Sequence, residues 1–167
     1  EKVSVLPLGW AKPNPLSPLP TFSERALVWG FHGADWKSGR KAMLAPLQLL
    51  QPNECLLQDG FNRPSDYSAM LVKSKFVPVP RGNHVETFRL YEALEHGAVP
   101  LYVRTAGDET FWNWLRPNLF LMEIASWEQA TKVIGFFLAN SDKAERYRTG
   151  LLDQWSKWKE SLKQLFV

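Results

Sequence analysis

Arg81, Thr87, Arg89 and Glu92 lie in one short run, Phe76–Pro100, that reads FVPVPRGNHVETFRLYEALEHGAVP. Two guanidiniums and a hydroxyl spaced around a turn suit the binding of a phosphate or diphosphate. Phe76–Val79 is a short apolar strand that stops at Pro80, and Arg81-Gly82-Asn83 is turn chemistry. The pattern predicts a helix from near His84, with Asn83 as N-cap and Glu86 completing a variant of the capping box. It closes with His96 in the last turn and Gly97 beyond, and Val99–Val103 resumes as a strand in which Pro100 is tolerated near the start. The amides of a helix start point into the preceding loop, so a loop flanked by Arg81 and Arg89 is an anion-binding device.

A second loop repeats the chemistry. Arg40 and Lys41 open a helix, where bare cations oppose the macrodipole. A nearby anion relieves that conflict, which makes Arg40 a phosphate contact and leaves Lys41 to solvent. His32 and Asp35 bracket Gly33 in the same loop. With His84 they are the candidates for acid–base work or ligand contact, each against the ordinary reading of a solvated loop side chain. Arg89 and Glu92 also have a plain alternative: three residues apart on one helix, they can pair on the surface for a few tenths of a kcal/mol. Thr87 can bond a phosphate oxygen or the local backbone. Glu86 is assigned to the cap, because a carboxylate there would repel a diphosphate. No metal-ligand spacing connects His32, His84 and His96, and no metal site is expected. Trp112 and Trp114 can stack on a ligand or pack in a core, and packing is the commoner use.

The elements that must hold these loops follow from periodicity. Short apolar runs at Ala26–Phe31, Cys55–Gln58, Phe76–Val79, Val99–Val103 and Asn118–Met122 read as strands. Helices are expected from a Ser38 cap to about Leu50, interrupted or kinked at Pro46, over Tyr67–Lys73, over Glu109–Leu115, from a Ser126 cap to about Asn140, and over Asp142–Phe166. Strands separated by helices imply right-handed crossovers and a parallel sheet: an α/β, Rossmann-like fold with helices on both faces. Ligands bind such sheets beyond the carboxyl ends of the strands, where the strand order switches. Residues 1–23, with prolines at 7, 13, 15, 18 and 20, read as a connector or surface arm, 24–141 as the binding domain, and 142–167 as a helix packing back on it.

Bulk composition narrows the partners. The 167 residues fit one domain, and 45% hydrophobic content with eight Trp excludes a disordered chain. Cys55 is the only cysteine, so no internal disulfide and no cysteine zinc cage can form. A net charge of +3 is too small to argue for nucleic acid, and no run of about 20 apolar residues predicts a membrane segment.

The run Pro80, Arg81, Gly82, Thr87, Arg89, Glu92, Ala93, Leu94, Gly97 and Pro100 resembles the signature of exostosin-like glycosyltransferases, in the nucleotide-sugar half of a GT-B fold. Members often carry Cys where Ala98 stands. Leu6-Pro7-Leu8-Gly9-Trp10 resembles the connector entering that half. Val28-Trp29-Gly30-Phe31-His32-Gly33 with Ser38-Gly39-Arg40-Lys41 resembles the first strand, its glycine turn and a basic helix start. About two thirds of the chain is covered. The resemblance implies a donor-binding domain for a UDP-sugar, transferring the sugar with inversion to a hydroxyl of a glycan or glycoprotein acceptor. It implies a binding set of Gly33, Arg40, Arg81, Gly82, Asn83, Thr87, Arg89 and Glu92, with Arg89 on the diphosphate and Glu92 on the ribose hydroxyls. The arginines and helix-start amides would neutralise the leaving group without a metal or other cofactor. The base that activates the acceptor would come from an N-terminal GT-B lobe, in cis or in trans, and His32, Asp35 and His84 are the candidates should it lie in this chain. A eukaryotic parent would place it in the Golgi or secretory lumen, and any other in the cytoplasm. The alternative is a non-catalytic module that uses the same half-fold to bind a nucleotide or a protein. Single-stranded nucleic-acid binding is weaker, because the charges form no single stripe.

Overall fold

A computed structural model describes Pro7 and residues 18–34, 38–57, 64–82 and 84–164. Among these, four parallel strands form one sheet: β1 (Leu27–Gly33), β2 (Asn53–Leu57), β3 (Ser74–Pro78) and β4 (Val99–Leu101), in the order β2-β1-β3-β4. Helix α1 (Ser38–Leu47) connects β1 to β2, α2 (Pro64–Lys73) connects β2 to β3, and α3 (Phe88–Glu95) connects β3 to β4. Three further helices follow: α4 (Glu109–Leu115), α5 (Trp127–Ala139) and α6 (Ser141–Lys163). The α/β class, the parallel sheet and its flanking helices are as the pattern implies.

The centre of the sheet is buried on both faces, as parallel strands with crossover helices must be. In β1, Val28, Trp29 and Phe31 are all buried. Successive residues of β3 point to opposite faces: Phe76 joins the larger core with Met43 and Leu47 of α1 and Ile134 and Phe137 of α5. Val77 joins a smaller core with Tyr67, Met70 and Leu71 of α2 and Ala93 of α3. Gly30 lets α2 approach closely, since a Cβ there would lie 2.3 Å from Met70 Sδ and 2.2 Å from Ser74 Oγ.

Four local expectations change. Helix α1 stops at Leu47 rather than Leu50, where the Trp29 indole donates to the carbonyls of Leu47 (2.8 Å) and Leu50 (3.1 Å). Asn118–Met122 is not a strand. Two of its amides are taken by α6 side chains, Phe120 N donating to Gln154 Oε1 at 2.8 Å and Met122 N to the Tyr147 hydroxyl at 3.0 Å, and the other three by nearby backbone carbonyls. Among the described residues, only Val103 and Ile124 bridge beyond β4.

The third change concerns α3, which begins at Phe88 instead of His84, with Thr87 in extended conformation (φ −134°, ψ 145°) at its N-cap. Glu86 therefore builds no capping box, and its carboxylate accepts from the Tyr91 hydroxyl. Ser38 is the first residue of α1 and does not precede it as a cap. By contrast, Ser126 caps α5 as expected, its hydroxyl accepting from Gln129 N at 3.2 Å.

Two arginines that the sequence did not mark hold the opposite end of the sheet. Arg25 is buried and donates to the carbonyls of Val72 (2.8 Å), Ser74 (3.0 Å) and His96 (2.8 Å). It thus sits on the negative ends of α2 and α3 together. Burial, then the neighbouring Arg148, lowers its pKa to about 10. Arg148 bonds Glu145 through Nε at 2.9 Å and Nη2 at 2.6 Å, and Gly97 O through Nη1 at 3.2 Å. The described end of the Pro-rich arm is seated here: Phe22 is buried edge-on against Phe76, with its amide 2.6 Å from Glu145 Oε2. Of the connector Leu6–Trp10, all but Pro7 lies outside the described residues. Helix α6 packs on α3, Trp155 stacking on Tyr91 at 5.3 Å and donating to Glu95 Oε1 at 2.6 Å. Trp158 is buried beside it.

Candidate functional site

The connection from β1 runs to β2 on one side, and that from β2 returns past β1 to β3 on the other, so the strand order switches between β1 and β3. The carboxyl ends of these two strands carry the two loops singled out above. Arg40 reaches this point from the first turn of α1, and Arg89 from the first turn of α3. The Arg89 guanidinium carbon lies 4.3 Å from the Phe31 ring centroid, and that of Arg40 lies 5.7 Å from the same centroid. Arg89 Nη2 donates to His32 O at 2.7 Å, and Arg40 Nη1 donates to Ala34 O. Both cations therefore gather at the end of β1, on a ring that is itself fully buried.

Gly33 is what allows the crossing. A Cβ there would lie 3.2 Å from Arg89 Nη2 and 3.1 Å from Phe31 Cζ. Gly82 stands close to Thr87, whose methyl would be 3.3 Å from a Cβ at that glycine. The Thr87 hydroxyl and Arg89 Nε are shielded from solvent and have no hydrogen-bond partner among the described residues. Thr87 does not cap α3 with its side chain, so the first amides of the helix are not served by it.

Arg81 is half exposed on the β3 loop, with Nη1 3.6 Å from Asp108 Oδ1. Asp108 is buried, and its other oxygen accepts from the Tyr102 hydroxyl (2.9 Å), Thr105 Oγ1 (2.8 Å) and Thr105 N (3.0 Å). Burial, then the Asp108 bond, pushes the Tyr102 phenol well above its ordinary range. The loops after β3 and β4 are thereby tied together.

Arg89 and Glu92 do not form the surface pair open to them. Arg89 turns to β1, whereas Glu92 is buried and accepts from the Tyr67 hydroxyl at 2.7 Å. Burial, first, raises the Tyr67 pKa; Glu92 adds to the rise and Arg89 opposes it. His32 is buried with Nε2 2.8 Å from Glu54 Oε1 on β2, a contact in which Nε2 carries the hydrogen and donates to the carboxylate. His84 is exposed on the loop, its carbonyl accepting from Gly82 N at 3.2 Å. Lys41 is exposed too. Trp112 is buried and stacked on Tyr102 at 5.7 Å, and Trp114 packs edge-on against Trp158, so both serve the core. Asp35 and Asn83 lie outside the described residues.

Gly33, Arg40 and Arg89 are thus brought together at the end of β1, with Gly82 and Thr87 in contact across the β3 loop. Arg81 lies toward β4, and Glu92 faces α2. Phe31, Glu54, Tyr67 and Asp108 complete these contacts and were not marked by sequence. Each comes from a different element, so no local spacing announces it. Among the described residues, no three His, Cys, Asp or Glu side chains gather as metal ligands, and no helix is long and apolar enough to cross a membrane. Comparison with models of known protein families and with curated proteins finds no match to this chain.

Proposed function

We propose that this chain is the donor-binding domain of an inverting, exostosin-like glycosyltransferase that takes a UDP-sugar. One observation carries the reading: two guanidiniums from different helices converge on the carboxyl end of β1, at the switch in strand order where open α/β sheets bind ligands. The resemblance of the 80–100 run supplies the ligand class. As the glycosidic bond breaks, charge grows on the departing nucleoside diphosphate. Arg40, Arg89, Arg81 and the first amides of α3 stabilise that charge, with Thr87 as a further donor. Glu92 accepts from the ribose hydroxyls, and an acceptor-binding lobe supplies the base that takes the acceptor's proton. Acceptors are hydroxyls of a glycan or glycoprotein.

A non-catalytic module on the same half-fold is favoured by a different detail. Arg40 and Arg89 each donate to a backbone carbonyl at the end of β1, Ala34 O and His32 O, as purely structural cations do. Thermal shift with millimolar UDP separates the two readings. A stabilisation that depends on Arg89 supports the donor site. A melting temperature indifferent to UDP, UDP-sugars and pyrophosphate supports the module.

A further inference from the structure

Helix α6 neutralises the cations along most of its length. Arg148 pairs with Glu145, Lys157 with Asp153, Lys159 with Glu95 and Lys163 with Glu160. Lys143 and Arg146, at its amino end, are exposed and have no carboxylate partner among the described residues. Two large aromatic side chains stand beside them. Phe136 of α5 is 50% exposed, with Lys143 Nζ 5.2 Å from its ring centroid. Phe120 is 66% exposed and shares a groove with Arg146.

That groove, of about 180 Å³, runs between Phe120 and α6 over Tyr147, Gly150, Leu151 and Gln154. Its walls are held from within the chain. Gln154 Oε1 accepts from Phe120 N at 2.8 Å, and the Tyr147 hydroxyl donates to Phe120 O at 3.3 Å. Gly150 keeps it open. Glycine is a poor helix former, yet a Cβ here would meet nothing within 4 Å, so packing inside the chain does not call for glycine. Small-molecule sites run to roughly 300–1,000 Å³, and a smaller groove suits one apolar side chain. Unpaired cations on its rim complement carboxylates. A bilayer offers no single side chain to a concave groove, so these features favour a peptide over a lipid surface.

We infer that this corner of α5 and α6 docks an acidic segment of a partner protein, which seats one apolar side chain against Gly150 and sets carboxylates on Arg146 and Lys143. The surface is separate from the candidate donor site, because neighbouring Arg148 bonds Gly97 O at the opposite end of the sheet. It stands whether or not the chain binds a nucleotide sugar.

NMR titration of the isotope-labelled full chain tests it, with a short synthetic peptide of acidic residues around a central leucine. The peptide should saturate below about 1 mM and shift the amide signals of Arg146, Gly150 and Leu151. Exchanging its central leucine for alanine should weaken binding about fivefold, and exchanging its acidic residues for lysines should abolish it. Arg146→Glu should weaken binding of the parent peptide by about fivefold or more. Gly150→Leu should do the same, and on that variant the leucine and alanine peptides should bind within about twofold of each other, the groove being already filled. Both positions are exposed, so both variants should melt near the wild-type temperature. No saturation of the wild-type protein, or an affinity that neither substitution changes, overturns the inference. So does Arg146-dependent sedimentation with phosphatidylserine vesicles where the peptide does not bind, which would make this corner a lipid-facing surface.

Discussion

Arg89 stands at the junction of the two loops, donating to His32 O at 2.7 Å and lying over Phe31. Arg89→Ala should weaken UDP binding by ~1.5–3 kcal/mol, the worth of a hydrogen bond to a charged group. Calorimetry on the folded variant measures this, and unchanged affinity would return Arg89 to a structural role. Glu92 is tested separately, its carboxylate accepting from the Tyr67 hydroxyl. Glu92→Gln should lower UDP affinity several-fold and leave pyrophosphate binding nearly constant. Equal losses for both ligands would mean that α3 has shifted and carried Arg89 with it. His96 offers a pH prediction at the same scale. Burial, first, holds its pKa below the ordinary 6.5, although Glu92 and Glu95 pull the other way and Arg25 adds to the lowering. The unfolded chain therefore takes up this proton before the folded one does. The contribution of neutral His96 is complete above the unfolded pKa and declines as pH falls through about 6.5 toward the lower folded value. Melting temperature should drop between pH 7.5 and 5.5, and His96→Gln should flatten that drop.

Helix ends decide much of the architecture at the element scale. Gly97 terminates α3 at φ 71°, a left-handed conformation, and a Cβ there would lie 2.6 Å from Arg25 Nη2 and 3.0 Å from Arg148 Nη1. Gly97→Ala should cost at least ~1–2 kcal/mol from backbone strain alone, with displacement of a buried cation in addition. Denaturant unfolding reads the loss. A variant as stable as wild type would show that the two arginines can move aside freely. The start of α3 carries a different lesson. The S/T/D/N-x-x-E rule favours a helix from His84, but Tyr91 captures the Glu86 carboxylate and the helix waits until after Thr87, which is extended. A side-chain bond from within the helix takes the carboxylate that the cap would use.

For the whole molecule, the sheet buries its strands between helices, and α6 returns along α3 through Trp155 and Trp158. Both tryptophans are buried in this domain's own core. If a second lobe binds the acceptor, its contacts lie elsewhere. On the proposed reading this chain alone should transfer no sugar to any acceptor, and adding an acceptor-binding lobe, fused or as a separate chain, should restore transfer. A radiolabelled-donor assay measures it. Robust transfer by the 167 residues alone would put the base within them, with His32, Asp35 and His84 as the first side chains to replace.

The parallel α/β architecture was legible in the sequence because its signals are local. Apolar runs such as Leu27–Phe31, helix periods such as Ala130, Ile134 and Phe137, the Ser126 cap and Gly97 all act within one turn or strand. The two basic loops were legible for the same reason, each being a strand end followed by a helix start. Tertiary structure alone decided the strand order β2-β1-β3-β4, and so which two loops meet at the switch. It also decided the partners that arrive from distant elements: Phe31 beneath Arg40 and Arg89, Tyr67 on Glu92, Glu54 on His32 and Asp108 beside Arg81. Periodicity records which side of an element is buried but not what it is buried against, and every one of those contacts joins two elements.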